Sequence, residues 1–308
     1  MTTAQLQEWQ LEFGGTLLGH NTRIPVAEIE GLGLADMRGD AVPRPGADGV
    51  WPAPDWYGTR TLRIDCGIKT PGDPAAGGRL LGALQRAADT TRVRTAGGAV
   101  MALRIKWPGA PVRVLCGRMR KLDPVWAEAA HGWIPLDVEF LVTDPRFYAD
   151  TEQQATLRLA WLSGGGFTAP VQAPIRVSDG VDADDRPGWV FNGGDTDSHP
   201  VLTVHGPCTG PTIRHMASGR VLSLPDLVLK AGEWVELDTR PDRMTVLREN
   251  EGSAAGSLTT ASRLDEFVLP PGRSEIRWAA TDPTSSARLT VRWRDAHVAL
   301  YDKELADR

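Results

Sequence analysis

The chain has 308 residues, 41% of them hydrophobic and 24% charged, a length and balance that point to two folded domains. The formal net charge of −5 offers no basic surface for nucleic acid, and 3 Cys (positions 66, 116 and 208) without a CxxC pair support neither a disulfide framework nor a zinc knuckle. No apolar run is long enough for a membrane helix, and the start MTTAQLQEWQLEFGG lacks the basic-then-apolar order of a secretory signal, so folding in a cytoplasm without export is expected.

In chain order, residues 8 to 34 read as strand, turn, strand: Trp9, Leu11 and Phe13 alternate with polar residues, Gly14-Gly15 turn the chain, and Ile24, Val26 and Ile29 resume it. A loop rich in Gly, Pro and Asp runs from Arg38 to Gly58, long enough to be functional or interface-forming. Thr61 to Ile68 alternates as a strand. The spacing of Leu80, Leu81, Leu84, Ala87 and Ala88 predicts the one helix, preceded by Gly77-Gly78. Strands resume at Met101 to Lys106, Pro111 to Leu122 and Trp133 to Val142, where Thr143-Asp144-Pro145-Arg146-Phe147-Tyr148 ends the run because proline removes a ladder donor. Strands, one helix, then strands make an α+β unit with an antiparallel sheet.

Past Thr151 the pattern weakens. Ser163-Gly164-Gly165-Gly166 is expected to be a flexible joint, and Asp179 to Asp185 an acidic turn. From Trp189 onward short strands recur without a helix: Val201 to His205, Thr212 to His215, Val221 to Leu224, Trp234 to Asp238, Met244 to Leu247, Phe267 to Leu269, Glu275 to Trp278 and Ala287 to Trp293. Such spacing, with turns at Lys230-Ala231-Gly232 and Pro270-Pro271-Gly272, argues a β-sandwich. The expected division is an N-terminal domain over 1–155, a linker over 156–186 and a sandwich over 187–308, mainly β throughout.

Chemistry is sparse. There is no G-x-S-x-G elbow, H-E-x-x-H helix, Walker sequence or G-x-G-x-x-G. His199, His205 and Cys208 fit no zinc spacing and read as residues at strand ends; Asp182, Asp184 and Asp185 lack the closing Glu of a calcium loop. No catalytic residue, metal or cofactor is expected. The 11 Trp against 6 Phe and 3 Tyr suit surfaces that are partly buried and partly wet, as at subunit contacts.

Two regions carry a family resemblance. Val138 to Tyr148, closing a unit of strands, one helix and strands, resembles the end of the N-terminal domain of the distal tail proteins (Dit) of long-tailed, non-contractile bacteriophages. Phe191-Asn192-Gly193-Gly194, Pro200 to Pro207, Ser218-Gly219-Arg220, Ala231 to Thr239 and Leu269 to Ile276 resemble the galectin-like sandwich of the same proteins. The resemblance implies a split-barrel-like ring-forming domain and an outer galectin-like domain in the virion tail tip of a siphovirus. It implies a ring, commonly a hexamer, between the tail tube protein and the tail-tip hub, with outer domains holding receptor-binding or side-fibre proteins. The Arg38 to Gly58 loop with Trp51 and Trp56 is then a candidate interface arm, or alternatively a loop packed on its own domain. Asp144, Arg146 and Tyr148 are candidate turn and interface residues. The alternative function is a carbohydrate-binding module for host cell-wall polysaccharide, with Trp234 as the candidate contact. Trp234-Val235-Glu236 is similar to the galectin Trp-x-x-Glu element without its spacing, and Gly19-His20-Asn21-Thr22-Arg23 has the wrong spacing and lies in the other domain.

Overall fold

The computed structural model describes residues 5–159, 188–282, 284 and 286–302. The expected Ser163–Gly166 joint and the acidic turn at 179–185 lie outside the described residues. Two compact units divide between Thr151 and Glu152 and again between Asp295 and Ala296. The first unit is therefore discontinuous, and the second is inserted into it. This differs from the expected boundaries at both ends: 153–158 is a strand of the second unit, and 296–302 belongs to the first.

The first unit runs β1 Gln10–Phe13, β2 Thr16–Gly19, β3 Val26–Glu30, β4 Met37–Arg38, β5 Val42–Pro43, β6 Val50–Trp51, β7 Trp56–Tyr57, β8 Arg60–Lys69, α1 Pro74–Ala88, α2 Thr91–Thr95, β9 Met101–Lys106, β10 Arg113–Pro124, β11 Trp133–Val142 and β12 Phe147–Ala149. The second contributes β13 Gln153–Arg158, β14 Trp189–Asn192, β15 Val201–His205, β16 Cys208–His215, β17 Val221–Ser223, β18 Val228–Leu229, β19 Trp234–Asp238, β20 Thr245–Arg248, β21 Gly272–Thr281 and β22 Arg288–Trp293. The chain then returns to the first unit with β23 Ala296–His297.

A nine-stranded antiparallel sheet, in the order β2-β1-β9-β10-β11-β8-β3 with β12 beside β10 and β23 beside β12, forms the first unit. Alternation decides its faces. Ile134, Leu136, Val138, Phe140 and Val142 of β11 and Leu62, Ile64, Cys66 and Ile68 of β8 are buried in one core with Leu81 and Leu84 of α1. The helix starts earlier than its apolar stripe suggests. The Asp73 carboxylate caps it by accepting from the Ala76 N–H at 2.8 Å, with proline in the first turn. Gly77 lies inside the helix because a Cβ there would sit 2.8 Å from the Thr70 hydroxyl, so the glycine lets α1 approach the sheet.

Cys66 is buried in that core and Cys208 in the core of the second unit; both are free thiols, as is Cys116. Burial, then the charges of Asp65 and Asp137, pushes the Cys66 thiol up to about 12. Burial and Asp282 push Cys208 up to about 11. The thiolate is the reactive form. Iodoacetamide at pH 8 is therefore expected to label partly exposed Cys116 first in the folded protein, at least roughly tenfold faster than the other two. Peptide mass spectrometry checks this, and equal labelling of Cys66 without unfolding contradicts it.

The second unit is a β-sandwich. One sheet is ordered β13-β22-β15-β19-β20; the other is β14-β21-β16-β17, with β18 beside β16. Leu202, Val204, Val235, Leu237, Leu289 and Val291 from the first sheet and Ile213, Leu222, Ile276 and Trp278 from the second share one buried core. The segment expected as a strand at Phe267 to Leu269 makes only an isolated bridge, Leu269 to Ser198, although Phe267 and Leu269 are fully buried.

Candidate functional site

The structure sets the sequence-predicted residues in three places. The first is an arm. Residues 36–58 form a hairpin with two short ladders, Met37 opposite Tyr57 with Arg38 opposite Trp56, and Val42 opposite Trp51 with Pro43 opposite Val50. The Arg44 N–H donates to the Gly49 carbonyl at 3.1 Å and closes the tip. No side chain between Met37 and Val50 is buried, and Trp51 and Trp56 are 53% and 68% exposed. Leu34, Met37, Val42, Val50 and Tyr57 are exposed beside them. The arm is thus not packed on its own domain, contrary to the second of the two expectations for this loop. A two-stranded hairpin without a core is marginal in water, and this concentration of apolar side chains is of the kind that marks an interaction surface.

The second place is the Asp144–Tyr148 corner. β11 pairs with β10 up to Val142 opposite Gly117, and the Thr143 N–H still reaches the Cys116 carbonyl at 3.0 Å. β12 then continues along the same edge of β10, with Tyr148 opposite Val114. The register has slipped by three residues, so Asp144, Pro145 and Arg146 are looped out of the ladder. Each residue has a partner. The Asp144 carboxylate, 5% exposed, accepts from the Tyr148 hydroxyl at 2.5 Å and from Arg146 Nη1 at 3.0 Å. The Pro145 carbonyl accepts from Arg60 Nη2 at 3.1 Å, and the Arg60 guanidinium stacks 4.5 Å from the centre of the buried Phe147 ring. Burial, then the Asp144 charge, raises the Tyr148 phenol well above its ordinary value, which keeps it a donor.

Two further buried arginines hold the strands through which the chain leaves and re-enters this unit. Arg104 of β9 binds Asp150 through Nε at 2.7 Å and Nη2 at 2.5 Å, and Glu12 of β1 at 3.0 Å. Arg113 of β10, 2% exposed, donates to the Leu300 carbonyl at 3.2 Å and pairs with Asp302. β23 pairs with β12, Phe147 opposite His297 and Tyr148 opposite Ala296, and Leu300 joins the core. Planar guanidinium groups suit such bidentate buried pairing. The corner is therefore architecture: it ends the pairing of β11 and resets the chain's register on β10, where the exit strand β12 lies beside the return strand β23.

The third place is a groove on the second unit, about 530 Å³ in volume, containing Trp234. Its lining comes from the outward residues of four neighbouring strands. Glu236, Thr203, Thr290 and Thr156 form one row across β19, β15, β22 and β13, and Trp234, His205 and Arg288 the next. Arg292 Nη2 pairs with Glu236 at 2.7 Å. Burial, then Arg288, lowers the His205 pKa, so its imidazole is neutral at neutral pH. Sequence reasoning singled out Trp234 and missed its neighbours; the signal was the polar residues at alternate positions of β15, β19 and β22. His199, His205 and Cys208 do not form a metal cluster, and among the described residues no group of three metal-ligating side chains comes together. The Gly19–Arg23 segment forms a turn, with Thr22 Oγ1 donating to the Gly19 carbonyl at 2.8 Å.

With this discontinuous sheet domain, its exposed arm and an inserted sandwich, the chain is similar in fold to solved structures of phage tail adsorption and baseplate proteins. The Dit protein (gp 19.1) of phage SPP1, described as a paradigm of the hub adsorption apparatus in Gram-positive infecting phages, aligns with a TM-score of 0.57 at 13% identity. That alignment covers 92% of this chain and 97% of that one. A chain of the phage P2 baseplate in its activated conformation with Ca aligns with a TM-score of 0.54 at 9% identity, covering 92% and 97%. The same baseplate with Sr gives 0.50 at 8% identity, covering 92% and 96%. No family model matches the chain, and no curated protein does. At these identities the likeness is one of fold.

Proposed function

We propose that this chain is a structural protein of a long non-contractile phage tail, a distal tail protein that forms a ring at the end of the tail tube. The uncovered arm carries this reading. A second copy of the chain is the occupant that answers it best: in a ring of identical subunits each arm lies on the next protomer, and heterologous contacts of this kind close when the rotation per subunit divides a full turn. Six copies is the number expected. An obligate interface of ~2,000 Å² or more, anchored by aromatic residues, suits Trp51 and Trp56. The inserted sandwich, read as galectin-like, faces outward to hold receptor-binding or side-fibre proteins, while the ring contacts the tube protein and the tail-tip hub. The role is structural, not catalytic, and its place is the virion tail tip. The fold likeness to the SPP1 and P2 structures supports the reading. Native mass spectrometry of the full chain tests it: a species near six times 33.3 kDa is expected, and a strict monomer at high concentration counts against it.

A second reading, contact between the sandwich and host cell-wall polysaccharide, is supported by the Trp234 groove. The two readings are compatible, since a ring that displays a saccharide site on each outer domain gains avidity.

A further inference from the structure

The Trp234 groove carries more than a general affinity for sugar. The inward residues of its strands, Leu202, Val204, Leu289, Val291 and Val235, fill the core, and the alternate residues face outward. That face presents one aromatic ring, Trp234, among side chains that donate or accept hydrogen bonds: Thr203, His205, Glu236, Thr290 and Arg292. An indole beside a field of hydroxyl, carboxylate and guanidinium groups matches a sugar ring, which has an apolar face and an edge of hydroxyls.

The charges are not balanced. Glu236 is taken by Arg292 at 2.7 Å, and Glu152 lies 3.9 Å from the same guanidinium. Arg288 stands across the groove, opposite His205 on the neighbouring strand, with no ion-pair partner among the described residues. A peptide is less well served. The groove lies over the outward face of the sheet, away from the backbone ladder that a peptide would extend, and all its lining side chains except Trp234 are polar or charged.

We propose that the groove binds an acidic saccharide, its sugar ring against Trp234 and its carboxylate paired with Arg288, with Thr203, Thr290, His205 and the Arg292–Glu236 pair reading hydroxyls. This rests on the saccharide reading given above and narrows it to an acidic ligand.

The test titrates the full chain with hyaluronan tetrasaccharide, neutral maltotetraose, poly(glycerol phosphate) and a tetraglutamate peptide, followed by saturation-transfer NMR and calorimetry. Hyaluronan tetrasaccharide is expected to bind saturably, at least roughly tenfold tighter than maltotetraose. Trp234→Ala and Arg288→Ala should each weaken it at least roughly tenfold while leaving the thermal transition in place. If maltotetraose binds as tightly and Arg288→Ala changes nothing, the saccharide reading stands and the acidic assignment is overturned. If no saccharide binds at millimolar concentration, both are overturned. Binding of poly(glycerol phosphate) or tetraglutamate as tight as hyaluronan and indifferent to Trp234→Ala also overturns the proposal, leaving a mere anion site.

Discussion

If the chain forms the proposed ring, replacing Trp51 and Trp56 together by alanine is expected to break it into single chains without unfolding them. Both indoles project from a hairpin that buries nothing of its own, so their loss removes no core packing. In a ring the same indoles become central anchors, and truncating such an anchor costs about 2–4 kcal/mol of association free energy. That is a factor of roughly 30 to 1,000 in the association constant for each site. In the proposed ring every protomer would both offer an arm and receive one, so the loss would repeat at each interface. Sedimentation velocity at micromolar concentration should show the sixfold species replaced by monomer that still unfolds in a cooperative thermal transition, at a temperature lowered only by the lost association. An unchanged ring in the double variant, or in a chain with residues 39–55 shortened to a tight turn, would remove the arm from the assembly account.

Asp144→Ala is expected to be the most damaging substitution in the corner. It deletes the acceptor shared by Tyr148 and Arg146 and leaves a phenol that is 9% exposed without that partner. Stranding buried donors of this kind costs about 3 kcal/mol, which for a unit of this size lowers its melting temperature by roughly 6–12 °C. Tyr148→Phe in the same background should cost less than it does alone, because the phenol no longer needs the carboxylate; a coupling energy of about 1–3 kcal/mol is expected. Arg146→Ala should be milder, since that side chain is partly exposed. Thermal unfolding of the four chains in the cycle measures this, and additive effects would show that the hydrogen bond contributes nothing.

The regular elements were legible because alternation and burial agree. Thr61 to Ile68, Met101 to Lys106, Trp133 to Val142, Val201 to His205 and Trp234 to Asp238 are strands within a residue or so of their expected ends. The helix was legible over its apolar stripe but not at its start, where Asp73, Pro74 and Gly77 act through a cap and a close approach that hydrophobic spacing does not register. Thr16–Gly19 was missed because a four-residue strand after a two-glycine turn has too short a pattern to read. The arm was legible as an unusual loop, while its ladders of two residues each were not.

The insertion was hidden for a different reason. Tyr148 pairs with Ala296 and Arg113 with Asp302 across nearly the whole second unit, and no local pattern encodes partners so far apart. The Asp144–Tyr148 motif was recognised as a boundary; the slip of three residues that makes it a corner follows only from the pairing of β10 with both β11 and β12. In the groove, one tryptophan drew attention by type, whereas Thr203, His205, Arg288 and Thr290 look ordinary until four strands align them.

The most direct measurement of the tail-ring assignment is electron microscopy of negatively stained virions decorated with an antibody fragment against this chain. The account predicts label confined to the distal end of the tail, in a single collar where the tube meets the tip, with sixfold symmetry in end-on views. Label along the tube, at the head, or absent from intact particles would contradict it.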